Sequence, residues 1–308
     1  MNIWKKLRRN AQTDITSFLK ERENYCVSAI SRYNSGTVQN VWAAFESNTE
    51  KVSSISALLL YGKRLLFPVF HFSFEQIEEF KKNGISLPLF LSLMLKSNSL
   101  HAAQGLADDM DLLENALKEK HIIPVSMYDY ELRSLDYAGG EPSHFGSGGL
   151  SADCLAKSPP DYPVITGLVI RRAEFSDADA LFPLQAAYEK EEVLPKGAGF
   201  NPALCRKILE SLITEKTILT AELKGKLVGK ININAQSYNR FQIGGVYVLP
   251  EYRSRGIARA MTTALIREFL PKTKHFTLFV KKTNIPARRV YDSLGFTVIG
   301  DYRISYFF

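Results

Sequence analysis

The chain has 308 residues, 45% hydrophobic and 23% charged, with a formal net charge of +7. That length suits two domains of ordinary size, each able to bury its own core, and the composition excludes a disordered or fibrous chain. Cys26, Cys154 and Cys205 are an odd number with no C-x-x-C pair, which argues against a disulfide framework and a zinc site, so a reducing cytoplasm without a metal is expected.

Lys5, Lys6, Arg8 and Arg9 open the chain like the start of an export signal, but Gln12, Thr13 and Asp14 stand where its apolar segment should follow. The most apolar run, Ile85 to Leu95, contains Pro88 and is about half the roughly 18 residues that span a bilayer. It reads as a buried strand, and no membrane partner is expected. The positive charge is uneven: 22 Lys and Arg face 13 Asp and Glu from Val164 onward, against 17 facing 19 before it.

In chain order, a helix is predicted from Asp14 through Phe18, Cys26 and Ile30 to Gly36. Val38 to Glu46 follows as a strand, then Val52 to Tyr61 and Arg64 to Phe72 as a hairpin turning at Gly62 and Lys63. Phe74 to Lys82 is helical and Leu87 to Leu95 strand-like. Asp108 to Lys120 is a helix with Leu112, Leu113, Ala116 and Leu117 inward, and Ile122 to Leu132 is a strand. Asp129-Tyr130-Glu131-Leu132 and Asp301-Tyr302-Arg303-Ile304 form a faint internal repeat. Nine glycines and prolines between Tyr137 and Pro163 mark a linker, in which His144 reads as a loop residue.

A second series begins with a strand over Val164 to Ala173 and a helix capped by Ser176 and Asp179 with Leu181 and Leu184 inward. A charged helix end, Glu189 to Glu192, precedes a helix from Pro202 to Glu215 that should bury Leu204, Ile208, Leu209 and Leu212, with Cys205 in its core face. Thr217 to Leu223 and Leu227 to Ala235 form a hairpin around Lys224 and Gly225, and Phe241 to Leu249 completes three antiparallel strands.

Pro250 ends that last strand, and helical periodicity starts at Ile257 and continues through Met261, Leu265 and Phe269. The helix start is preceded by Arg253, Ser254, Arg255 and Gly256 and includes Ala258 and Arg259. Unpaired amides, the positive end of a helix dipole, guanidinium groups and a residue without Cβ together bind phosphate, and a pyrophosphate is the expected guest. Beyond it, Phe276 to Lys281 is a strand and a helix runs through Arg288, Val290 and Tyr291 to Leu294, Gly295 and Phe296, with Gly295 as helix stop.

The spacing R-x-x-G-x-A on Arg253, Gly256 and Ala258, followed by N-x-x-A-R-x-x-Y-x-x-x-G-F on Asn284, Ala287, Arg288, Tyr291, Gly295 and Phe296, resembles the GNAT superfamily of N-acyltransferases. The resemblance covers roughly Val164 to Phe308, and the first half shares it only in element order. It implies an α/β fold with a mixed, mostly antiparallel sheet and a splayed central strand pair. A GNAT-like half over residues 1–136, a linker over 137–163 and a catalytic half over 164–308 are expected. Where the first half should carry the phosphate turn it has Pro68 to Phe74, with neither glycine nor arginine; it is expected to have lost cofactor binding and to cover or shape the acceptor site.

The resemblance further implies acetyl-CoA as cosubstrate, whose phosphates account for the basic second half without a nucleic acid. The backbone of Val246, Tyr247 and Val248 would pair with its pantetheine arm and polarise the thioester. The turn from Arg253 through Ser254, Arg255, Gly256, Ile257 and Ala258 to Arg259 would hold its pyrophosphate. Asn284 would contact the arm, though it also suits a helix cap. Tyr291 matches the family's general acid, although core packing explains a lone aromatic in such a helix. Phe279 stands where some relatives place a glutamate base, so Glu191 or Glu192 is the candidate base or amine-binding group, against the alternative of a solvated helix end. His275 reads as a surface residue. The implied activity is acetyl transfer to a primary amine of a small molecule or peptide. A silent acyl-CoA-binding module, a tRNA or peptide modifier and a longer acyl donor are alternatives.

Overall fold

The computed structural model describes residues 3–7, 12–45, 55–83, 100–137 and 165–307. The apolar run Ile85 to Leu95, His144 and all but the first residue of the Gly/Pro-rich linker lie outside them. Contacts sort the described residues into two units: those up to Leu132 with those from Ile299 on, and those from Arg133 through Val298. No helix among them is long and apolar enough to cross a membrane.

The first unit contains β1 (Ile3–Lys6), α1 (Gln12–Glu21), α2 (Val27–Asn34), β2 (Asn40–Phe45), β3 (Ile55–Gly62), β4 (Leu65–Phe70), α3 (Phe74–Asn83), β5 (Ala102–Leu106) and α4 (Ala107–Lys118). The predicted single first helix is broken, because the chain leaves helical dihedrals at Arg22 and Cys26. Phe18, Leu19, Val27 and Ile30 are nevertheless all buried, so the apolar pattern carries no trace of the break. The β3–β4 hairpin turns on Lys63 and Arg64, both at positive φ, one residue later than predicted; two left-handed central residues match the strand twist. On α4 the predicted inward residues Leu112, Leu113, Ala116 and Leu117 are buried together with Met110.

Strand β6 (Ser126–Asp136) starts four residues later than the pattern suggests. Ile123, Val125 and Met127 are apolar but exposed, whereas Arg133, Ser134 and Asp136 are polar and buried; hydropathy alone places the strand wrongly. Its first residues belong to the first unit and those from Arg133 to the second. The edge strand β1 and the alanine- and glycine-containing β5 carry no β-branched pattern beyond Ile3, and neither is predicted.

The second unit contains β7 (Leu168–Arg172), α5 (Ala178–Tyr188), α6 (Pro202–Thr214), β8 (Ile218–Leu223), β9 (Lys226–Gln236), β10 (Arg240–Val248), α7 (Ile257–Phe269), β11 (His275–Lys281) and α8 (Ile285–Ser293). The capping box sits on Glu174 and Asp177 rather than Ser176 and Asp179, because a 3-10 turn over Phe175–Asp177 precedes α5. On α6 the buried row is Cys205, Leu209 and Ile213, while Leu204 and Ile208 face outward. The apolar residues of α6 span more of its circumference than its neighbours cover, so counting them does not choose the face.

The last strand, β12 (Thr297–Tyr306), belongs to the first unit from Ile299 onward, where Tyr302 to Tyr306 pair antiparallel with Leu106 to Ala102. There Arg303 Nε donates to Asp129 Oδ1 at 2.8 Å and its NH1 reaches Asp111 and Glu114. The two copies of the faint repeat are thus on neighbouring strands. In the first unit β2, β3 and β4 are antiparallel neighbours and β4 pairs with β5 in parallel. In the second, β7, β8, β9 and β10 are antiparallel and β10 pairs with β11 in parallel. Both units show a mixed, mostly antiparallel sheet with one parallel pair that soon parts.

Candidate active site

The parallel pairing of β10 and β11 runs from Arg240↔His275 to Ile243↔Leu278 and stops there. The remainder of β10, including Val246, Tyr247 and Val248, continues without a β11 partner in that register. On its other side β10 pairs Gly244 with Asn232 and Tyr247 with Lys230, so Gly245 and Val246 together oppose the single residue Ile231. This is a β-bulge, and Gly245 takes φ +61° to make it. The bulge interrupts the β9–β10 ladder at Gly245 and Val246, and pairing resumes at Tyr247 and Val248.

A 3-10 turn over Pro250–Tyr252 ends β10. Ser254 adopts φ 60° and Gly256 φ 79°, a left-handed pair that sets the entry into α7. No side chain caps this helix, so its first amides have no intrahelical or capping acceptor. Ile257, Ala260, Met261, Leu265 and Phe269 are buried, which fixes the helix under the sheet with its start open. Arg259, in the first turn, has a buried Nε with no hydrogen-bond partner. An uncapped positive helix end beside an unsatisfied guanidinium donor fits a pyrophosphate.

The other two arginines are engaged. Arg253 donates from Nε to the Val248 carbonyl at 3.0 Å and from NH2 to Glu191 Oε2 at 2.8 Å, with its guanidinium over the Tyr247 ring. Arg255 donates to the Glu251 carbonyl and lies over Tyr252. The hydrogen bond and charge of Arg253 hold the Glu191 carboxyl below the usual carboxylate range. Glu192 pairs with Lys281 at 3.1 Å and accepts from Asn284 Nδ2 at 3.3 Å. Asn284 also caps α8, its Oδ1 accepting from the Ala287 amide at 3.1 Å, so one side chain fixes the helix and reaches Glu192.

Tyr291 is buried on α8, with its ring edge-on to Phe296 at 5.8 Å. Burial, then the neighbouring Tyr188 and Glu192, push its phenol well above the ordinary range, so it stays protonated. Gly295 takes φ +86° just past α8, as a helix stop requires. Cys205 is buried on α6, as expected.

Other residues here gave no usable sequence signal. Arg133, 159 positions before Asp292, is buried and ion-paired to it directly beside Tyr291. His275 corrects the surface reading: it is buried, and its Nδ1 lies 2.8 Å from Asp136 Oδ1, to which Arg240 NH1 also bonds at 2.8 Å. Ser134 Oγ donates to Asp136 Oδ2 and accepts from Arg240. Burial alone would raise the Asp136 carboxyl, but the His275 hydrogen bond, the Arg240 charge and Ser134 draw it below the usual range. Lys230, mid-strand in β9, is fully buried, and desolvation lowers its amine to about 7 against the pull of Glu189.

Residues 183–296 match the sequence model of the Acetyltransferase (GNAT) family. No curated protein sequence matches the chain. Among solved structures, a GNAT-family acetyltransferase from Colwellia psychrerythraea is similar over 99% of both chains at 13% identity with a TM-score of 0.53. A GCN5-related N-acetyltransferase from Sphaerobacter thermophilus is similar over 99% of this chain and 94% of that one, at 15% identity and a TM-score of 0.59. A tandem GNAT protein from the clavulanic acid biosynthesis pathway covers 99% of this chain and 98% of its own, at 11% identity and a TM-score of 0.55. At these identities the likeness is one of fold, and it extends over both halves. Residues 183–296 therefore match the GNAT acetyltransferase family, and the fold of both halves is like that of GNAT-family structures.

Proposed function

We propose that the second unit transfers the acetyl group of acetyl-CoA to a primary amine by direct attack within a ternary complex. The observation that carries this reading is the uncapped start of α7 at left-handed Gly256 with the unsatisfied Arg259 donor beside it. There the amides from Gly256 to Arg259 would hold the pyrophosphate, and Ser254 would add its hydroxyl. The backbone of Val246, Tyr247 and Val248 would pair with the pantetheine arm and polarise the thioester carbonyl. Asn284 would position the arm from the start of α8.

Tyr291, buried on α8, would donate its proton to the departing thiolate. Glu191 is held low by Arg253 and makes a weak base at neutral pH; we assign it to orienting that arginine. Glu192 would attract the acceptor's ammonium group. The second unit then carries the catalysis, and the first binds no cofactor.

Isothermal titration with acetyl-CoA, followed on the same sample by thiol release against a panel of amines, tests this reading. Binding with release on an amine is the expected result. Binding without release on any small amine would favour a silent acyl-CoA-binding module or a macromolecular acceptor, and no binding would overturn the site.

A further inference from the structure

A lysine buried in the middle of a sheet is costly to desolvate and calls for a compensating role. Lys230 has 0% exposure. Its Nζ donates to the Gly245 carbonyl at 2.9 Å and to Asn232 Oδ1 at 3.3 Å, and lies 4.5 Å from the centre of the Tyr188 ring. Asn232 in turn donates to Asn234 Oδ1 at 2.7 Å. These side chains press on the bulge itself. A Cβ on Gly245 would fall 1.7 Å from Asn232 Oδ1 and 2.9 Å from Lys230 Nζ, and one on Gly244 would fall 1.9 Å from Asn234 Nδ2. Two glycines in β10 therefore make room for one lysine and two asparagines in β9.

The bulge explains what the lysine does. An extra residue in one strand drops out of the ladder, so the Gly245 carbonyl needs a donor from elsewhere, and Lys230 is that donor. In a trans peptide the carbonyl of one residue and the N–H of the next lie in one plane and point opposite ways. With the Gly245 carbonyl bonded to Lys230 Nζ, the N–H of Val246 points away from that amine. A neutral amine has two N–H groups for two acceptors, so an amine lowered to about 7 keeps both bonds in either charge state.

We propose that Lys230 is a positioning residue for acyl transfer, holding the Gly245–Val246 peptide so that the Val246 amide faces the thioester carbonyl. The proposal rests on the acetyl-transfer reading above. It assigns to Lys230 no contact with the acyl donor or the acceptor.

The test is Lys230→Met in the full chain, with three readouts: acetyl-CoA affinity, turnover, and the amide shift and hydrogen-exchange rate of Val246 by NMR in the ligand-free protein. The expected result is an affinity within about threefold of wild type, because the pyrophosphate turn is untouched, with kcat lower by about 10²-fold, the scale of losing one oxyanion donor. The Val246 amide should shift and exchange faster. A melting temperature at or above that of wild type would show that turnover is not lost through unfolding; should Lys230→Met not fold, Lys230→Gln, too short to reach Gly245, takes its place. Unchanged kcat would overturn the proposal, as would an unmoved Val246 amide. If wild type itself shows no acetyl transfer, the function fails instead, and the NMR readout alone still decides whether Lys230 holds the peptide.

Discussion

The two units run through the same succession of antiparallel strands, a strand-to-helix turn and a parallel strand, yet that turn is built in opposite ways. In the second unit α7 starts at a left-handed glycine with no cap. In the first, Ser73 caps α3: its Oγ accepts from the Gln76 amide at 3.3 Å, and Gln76 Oε1 accepts from the Ser73 amide at 2.8 Å. This is a capping box. Phe70, Phe72 and Phe80 pack in sequence beside it, with centroids 5.2 and 4.8 Å apart. The first unit therefore lacks more than a glycine and an arginine. Its Gln76 amide already has a protein acceptor, and three aromatic rings pack beside the turn. A helix start serves as an anion site when the chain leaves its donors unused, and as a joint when it does not.

The parallel strands also part differently. β4 and β5 pair only at Leu65↔Ala102 and Leu66↔Ala103, and the space beyond is lined by Asp109, Arg22, Cys26 and Tyr302. Burial pushes the Asp109 carboxyl up to about 7, against the charge of Arg22 and a hydrogen bond from the Phe70 amide. Where α7 of the second unit starts uncapped, the first unit lines its space with a buried acid.

The sharpest way to break the comparison is to spoil the open helix start. Gly256→Glu puts a side chain at φ +79° and a negative charge where phosphate would sit, and it should weaken acetyl-CoA binding by more than about 10²-fold in titration calorimetry. Measurable binding at wild-type affinity would mean that α7 is not the anion site. Tyr291→Phe should lower kcat by about 10²-fold, the lower end for a general acid, with CoA affinity unchanged; equal turnover would remove the phenol from the mechanism.

Asp136→Asn should cost about 3 kcal/mol in denaturant unfolding, because it leaves Arg240 buried without its partner charge. The folded-state carboxyl lies below its ordinary value, so its contribution is present above pH 3.8 and is lost as pH falls through the lowered value. Asp109 has the opposite sign. Its folded value is raised, so ionisation penalises the first unit increasingly from about pH 4 to 7. Asp109→Asn should therefore raise the melting temperature at pH 8 and leave it unchanged at pH 3.5. Ser73→Ala should cost about 1 kcal/mol by loss of the cap, and it should create no CoA binding, since the rings remain.

Much of the site was legible because it is local. Arg253 to Arg259 lie within one turn and Asn284 to Phe296 within one helix and its stop, and at that range spacing fixes which side chains share a face. The paired state of Glu191 with Arg253 was not legible, since the two are 62 positions apart. Nor was the buried row on α6: Leu204 and Ile208 are as apolar as Leu209, and the packed neighbour chooses among them. β5 escaped notice because alanine and glycine become strand only when neighbours on both sides supply the ladder.

Local sequence was enough for the order of helices and strands in the second half up to α8, the strand-to-helix turn at Arg253 to Arg259 and the left-handed stop at Gly295. These depend on φ preferences, capping and periodicity, all properties of a few consecutive residues. Only the tertiary structure decided that residues 133–137 complete the second unit and those from Ile299 the first, that Arg133 backs Tyr291, that Asp136 gathers Arg240 and His275, and that Lys230 reaches Gly245. Each of these joins polar groups distant in sequence whose burial is tolerable only once a partner is in place, and a partner supplied by another strand leaves no mark on the residues next to it in the chain.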